Sequence, residues 1–199
     1  MNIYTVSSVL KSVLQSLYQH LGVSVVMTIL IMLLYTRIEE MGLKSIIKNF
    51  CMEIRYNNTY KKITIFVFFT VTLLFKTIFC RSFWENPANR VLGVWSLYTE
   101  DGDLYIDNIL NTILFIPFIG TMFWAFERKM LKIISFTNII LKGAVISFCC
   151  SMIIELSQLI FKIGMFQLTD LFFNTIGGMI GGGLYYIVKK IYCAKKRNK

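Results

Sequence analysis

The chain has 199 residues, of which 56% are hydrophobic and 15% aromatic, and its mean hydropathy is +0.62. Charged residues make up 16%, against about a quarter in soluble domains, and they fall between long apolar runs. The net charge of +10 does not point to nucleic acid, because the Lys and Arg residues border apolar segments and form no stripe of their own.

In chain order, residues 1–19 read as an amphipathic, interfacial helix running into the first span. Val6, Leu10, Val13 and Leu17 recur at helical spacing, opposite Lys11, Ser12, Gln15 and Gln19. This stretch lacks the short basic opening of a cleaved signal peptide. Residues 20–62 hold a first span, about 20–36, and a basic loop. Residues 63–188 form a four-helix membrane core with spans at about 63–80, 107–126, 138–161 and 170–188. Residues 189–199 are a basic tail. The predicted fold class is therefore all-α, a polytopic transmembrane helix bundle of about five spans.

The basic residues orient the bundle. Segment 37–62 holds six Lys and Arg, segment 127–142 holds four and the tail holds six, out of 21 in the chain. The positive-inside rule assigns these three regions to the cytoplasm. The N-terminus and segments 81–106 and 162–169 are then expected outside. The basic tail is read as a topology determinant lying against anionic lipid.

The five cysteines show no metal-ligand or disulfide-framework spacing and read as small apolar residues. His20 is the only histidine, which argues against a His-rich metal site or a Ser-His dyad. No metal or cofactor is predicted.

Polar groups inside spans are costly, and so are candidates for function. The third span opens with Asp107, Asn108 and Asn111. Glu155 and Gln158 come late in the fourth, and Asp170 and Asn174 come early in the fifth. With alternating span directions, all of them reach the outer half of the membrane. Asn108 and Asn111 share a helix face, as do Glu155 and Gln158, and Asp170 and Asn174. These faces predict a polar cleft opening outward, with Lys76 and Arg81 as counter-charges. The competing reading is that the amides simply hold helices together. Pro117 predicts a kink in the third span. Gly177, Gly178, Gly181, Gly182 and Gly183 predict close helix packing in the fifth.

Three segments carry a family resemblance. Asn111-Thr-Ile-Leu-Phe-Ile-Pro117, Ile154-Glu155-Leu156-Ser157-Gln158 and Asp170-Leu-Phe-Phe-Asn174-Thr175-Ile-Gly177-Gly178 resemble the conserved elements of the VanZ-like family of bacterial membrane proteins, in order and in separation. Arg81 and Trp95-Ser96-x-Tyr98 resemble a further Arg and Trp-Ser-Tyr pattern. The likeness runs over roughly residues 75–188. The chain departs from the pattern at Ile119, where many members have Gly, and at Gln167 and Thr169, where an acidic residue is common.

The resemblance implies a compact helical protein of a Gram-positive-type cell membrane, in a family some of whose members are linked to reduced susceptibility to teicoplanin and related lipoglycopeptides. The leading expectation is a binding or shielding protein rather than an enzyme. Its partners would be membrane lipids and, at the cleft, the headgroup of a lipid-linked envelope precursor or of a lipoglycopeptide. Asn111, Gln158 and Asn174 would supply hydrogen bonds, Glu155 and Asp170 would meet a cation or sugar hydroxyls, and Arg81 would meet a phosphate. Trp95 and Asn108 complete the candidate set. The alternatives are a membrane enzyme using Glu155 and Asp170 as acid and base or as a metal pair, and a small transporter, against which the lack of a repeat argues.

Overall fold

The computed structural model describes residues 3–36, 43–79, 83, 88, 91–96, 105–131 and 134–197. Six helices account for nearly all of them: α1 Ile3–Tyr35, α2 Leu43–Tyr56, α3 Asn58–Leu74, α4 Ile106–Met130, α5 Phe136–Phe161 and α6 Leu168–Arg197. A π-helical turn, Phe75–Phe79, extends α3. Five of these helices are long and apolar enough to cross a membrane: α1, α3 with its π turn, α4, α5 and α6. A hydrocarbon core of about 30 Å forces this choice, since a helix satisfies its own backbone hydrogen bonds.

The N-terminal helix runs into the first span as its spacing predicts, and two other elements are more ordered than the sequence reading has them. The N-terminal segment and first span form one unbroken helix of 33 residues. At 1.5 Å per residue it is about 50 Å long, well beyond a single hydrocarbon core. The basic loop contains α2, whose charges and apolar residues alternate at helical spacing. The basic tail continues α6 as helix to Arg197, where Lys195, Lys196 and Arg197 complement the negative end of the helix dipole.

The two ends of the bundle differ in chemistry. At the basic end lie α2, the C-termini of α1, α4 and α6 and the N-termini of α3 and α5. Asn57 caps α3 there, its Oδ1 accepting from the N–H groups of Thr59 and Tyr60 at 3.0 and 3.2 Å. The Tyr60 hydroxyl donates to the Met32 carbonyl at 3.0 Å and lies 2.9 Å from Thr36 Oγ1, which locks α1 to α3 in register. Lys189 Nζ meets both carboxylate oxygens of Glu127 at 2.6 and 2.8 Å, joining α6 to α4. The opposite, polar end carries the N-termini of α4 and α6 and the C-terminus of α5.

Helix α6 lies against both α4 and α5, which scarcely touch each other. Two glycine faces make this possible. On one face, a Cβ built at Gly177 would run into the Thr112 carbonyl oxygen, and one at Gly181 into that of Ile116, both on α4. On the other, a Cβ at Gly178 would meet the Ser147 hydroxyl and lie 2.7 Å from the Gly143 carbonyl oxygen, on α5. Helix backbones approach this closely only where side chains are absent. Phe115, Ile119, Phe123 and Ile139 fill the space around these contacts and are fully buried.

The kink expected at Pro117 is not where α4 leaves helical geometry. The backbone departs at Phe126 (φ −114°, ψ 24°) instead.

A Gly181→Ala substitution tests the packing. Its methyl group would meet backbone atoms of Ile116, which have no rotamer to relax, whereas Gly183 has nothing nearer than Phe136 at 4.0 Å. Thermal unfolding of the detergent-purified chain should show Gly181→Ala destabilised by about 1–3 kcal/mol. Gly183→Ala should be neutral or slightly stabilising.

Candidate functional site

The polar residues singled out from the sequence come together at the polar end. Asn108 and Asn111 lie in the first two turns of α4, Glu155 and Gln158 in the last two of α5, and Asp170 and Asn174 in the first two of α6. None of the six is more than 6% exposed. The arrangement is a closed cluster in place of the expected open cleft.

The cluster closes because its side chains serve backbone that lacks regular partners. After Phe161 the chain turns at Lys162, which adopts the left-handed conformation (φ 55°, ψ 36°). The following N–H of Ile163 returns to the Gln158 carbonyl at 3.0 Å. Glu155 Oε2 accepts from the Gln167 N–H at 2.9 Å, so the carboxylate braces the turn into α6. Gln158 Nε2 donates to the Thr77 carbonyl at 2.8 Å, within the π turn. Such turns leave backbone groups outside the regular ladder, and the amide satisfies one.

Segment 91–96 is fastened in the same way. Asn108 Nδ2 donates to the carbonyls of Val94 and Ser96 at 2.9 and 3.3 Å. The Leu168 N–H at the start of α6 donates to the Val91 carbonyl at 2.8 Å. Gly93 has φ +67°, and a Cβ there would run into Thr169 Oγ1. Only glycine lets the segment turn this close to α6. Trp95 lies over Phe172 of α6, with ring centroids 5.4 Å apart, and is half exposed. Phe83 and Ile163 form an isolated antiparallel bridge. Arg81 and Tyr98 lie outside the described residues.

Within the helices, Asn174 Nδ2 donates to Ser151 Oγ at 2.7 Å, linking α6 to α5. Thr112 Oγ1 lies 3.3 Å from the Phe173 carbonyl, linking α4 to α6. These contacts leave part of the cluster's capacity unused. Asn108 Oδ1, Asn111 Nδ2, Gln158 Oε1, Thr169 Oγ1 and Asn174 Oδ1 are buried with no hydrogen-bond partner among the described residues. Stranding such groups costs about 1–3 kcal/mol each. Among the described residues no three His, Cys, Asp or Glu side chains group as metal ligands.

Sequence reading missed Ser147, Ser151 and Thr169, all fully buried. The signal for the serines was present. Gly143, Ser147, Ser151, Glu155 and Gln158 run along α5 at spacings of four and three, a small and polar stripe on an otherwise apolar helix. Thr169 has no such pattern around it.

Removing the Asn108 amide should release segment 91–96. In Asn108→Ala, hydrogen exchange followed by mass spectrometry should rise across 91–96, with a stability loss of about 1–3 kcal/mol for the two carbonyls left unpaired. Exchange in α2, at the far end of the bundle, should not change.

Comparison with known proteins places this arrangement in a family. No curated protein and no solved structure matches the chain. The sequence profile described as VanZ/LLP1 matches residues 18–189, from the span-forming part of α1 to the basic end of α6. The chain is a multi-pass membrane protein and belongs to the VanZ/LLP1 family.

Proposed function

We propose that the protein works at the outer surface of a bacterial cell membrane. There its polar end binds the headgroup of a lipid-linked envelope precursor or of a lipoglycopeptide, lowering susceptibility to teicoplanin-type drugs. The observation that carries this reading is the buried, unused hydrogen-bonding capacity of the cluster. Asn111 Nδ2 offers a donor and Asn108 Oδ1, Gln158 Oε1 and Asn174 Oδ1 offer acceptors. Sugar hydroxyls and peptide amides complement both kinds.

Orientation supports the same reading. The Lys and Arg residues concentrate at the basic end, and the positive-inside rule puts that end in the cytoplasm. The polar end then meets the outer headgroup layer. A ligand reaches the cluster by displacing segment 91–96, whose Trp95 ring offers an amphipathic surface at that level. Glu155 and Asp170 supply negative charge for a cationic or hydroxyl-rich group. A drug carrying an acyl chain is concentrated at this surface by its own lipid affinity, which favours teicoplanin over vancomycin as the drug affected.

The test is susceptibility in a sensitive Gram-positive host. Expression of the parent chain should raise the inhibitory concentration of teicoplanin several-fold and leave vancomycin nearly unchanged. Glu155→Gln and Asp170→Asn, at matched membrane levels, should lose most of the effect. If the parent changes neither drug's activity, the resistance reading fails. If purified protein instead converts a lipid-linked substrate and Glu155→Gln abolishes the conversion, an enzyme replaces the binding protein.

A further inference from the structure

Away from the polar cluster, on the other side of α4, a groove of about 790 Å³ opens to the side of the bundle. Its volume falls in the roughly 300–1,000 Å³ range of small-molecule sites. Leu14 and Leu21 of α1, Phe68 and Phe69 of α3, and Ile113 and Pro117 of α4 form its walls. The α1 wall has little protein against it: Leu14 is 57% and Tyr18 77% exposed.

The groove has a direction, which the helix register gives. Tyr60 and Met32 meet at the basic end. Twelve residues along α3 from Tyr60 lies Thr72, and eleven back along α1 from Met32 lies Leu21. Both line the groove, about 16–18 Å from that contact. Lys11 is ten residues beyond Leu21, about 15 Å further toward the polar end, and it also lines the groove. That distance is half of a hydrocarbon core of about 30 Å. Its α3 and α4 walls cover about 6 Å of helix each, between Phe68 and Thr72 and between Ile113 and Pro117, at the level of the bilayer middle, and its α1 wall continues from there toward the headgroup level at the polar end.

Chemistry changes along the same axis. The deep part is apolar. Its far end carries Lys11, Gln15 and Tyr18, which at spacings of four and three share one face of α1. A lysine about 15 Å along α1 from an apolar floor matches an acyl chain with an anionic group at its head.

We infer that this groove is a binding site for one anionic diacyl phospholipid, with an acyl chain lying between α1, α3 and α4 and its phosphate on Lys11. The site is separate from the polar cluster and does not rest on the function proposed for it.

Native mass spectrometry of the full chain in detergent, titrated with phosphatidylglycerol or phosphatidylcholine, tests the inference. The parent should retain one phosphatidylglycerol and hold it several-fold more tightly than phosphatidylcholine. Lys11→Gln should bring phosphatidylglycerol down to the phosphatidylcholine level, and Lys44→Gln, on α2, should not. Leu21→Trp and Leu14→Trp, which fill the floor and the middle of the groove, should each weaken both lipids while thermal unfolding stays near that of the parent. Equal affinity for the two lipids in the parent overturns the inference. So does retention unchanged in both tryptophan variants, or a dimer found in place of bound lipid.

Discussion

The closeness of α6 to its two neighbours is the constraint on which the rest of the structure depends. In hydrocarbon the lipid is as apolar as any leucine, so helices gain nothing from hiding apolar faces from it. They are held by close backbone approach and by polar contacts. Gly177 and Gly181 give α6 one such approach, to α4, and Gly178 gives another, to α5. Because α4 and α5 scarcely meet directly, α6 sets their relative height. Asn174 lies one turn before Gly177 and Gly178, so the helix pairs already in contact at the glycines bring Asn108, Ser151 and Glu155 to its level. The polar cluster is a consequence of where the glycines are.

That cluster has two layers of use. One is structural. Irregular backbone at membrane depth is tolerated only where protein satisfies it, and the polar end contains three such pieces: the turn at Lys162, the π turn and segment 91–96. Glu155, Gln158 and Asn108 each spend a hydrogen-bonding atom on one of them. The second layer is what those bonds leave over, including Asn111 Nδ2 and Asn174 Oδ1. The Asn174–Ser151 bond joins two side chains, a contact that apolar residues on both sides could replace at little cost. The leftover groups are the reason for reading the cluster as a binding site held shut by segment 91–96, with the groove beyond α4 as a separate, lipid-facing feature.

Much of this was legible in the residues. Apolar runs of the length that crossing a bilayer requires located all five spans. The extra length came at the C-terminal end, where α6 extends forward to Arg197, because basic helix carries no apolar signal. Helix α2 was hidden for a related reason: its fourteen residues are too short and too charged to count as a span. The cluster was legible because carboxylates and amides at spacings of three and four stand out inside apolar helices. Its closure was not. The partners of Asn108, Gln158 and Glu155 are backbone atoms of Val94, Ser96, Thr77 and Gln167, and any residue type supplies those. The groove was hidden too, since it lies between helices far apart in sequence and is lined by ordinary apolar side chains.

The central claim is directional: the polar end faces outward. Single-cysteine chains test it most directly, one keeping only Cys193 in the basic end of α6 and one carrying only Leu92→Cys in segment 91–96, both at exposed positions. They would be treated with a membrane-impermeant maleimide in intact cells and again after permeabilisation. The account predicts that Leu92→Cys is labelled in intact cells and Cys193 only after permeabilisation. Labelling of Cys193 in intact cells, with Leu92→Cys protected, would turn the cluster toward the cytoplasm and contradict it.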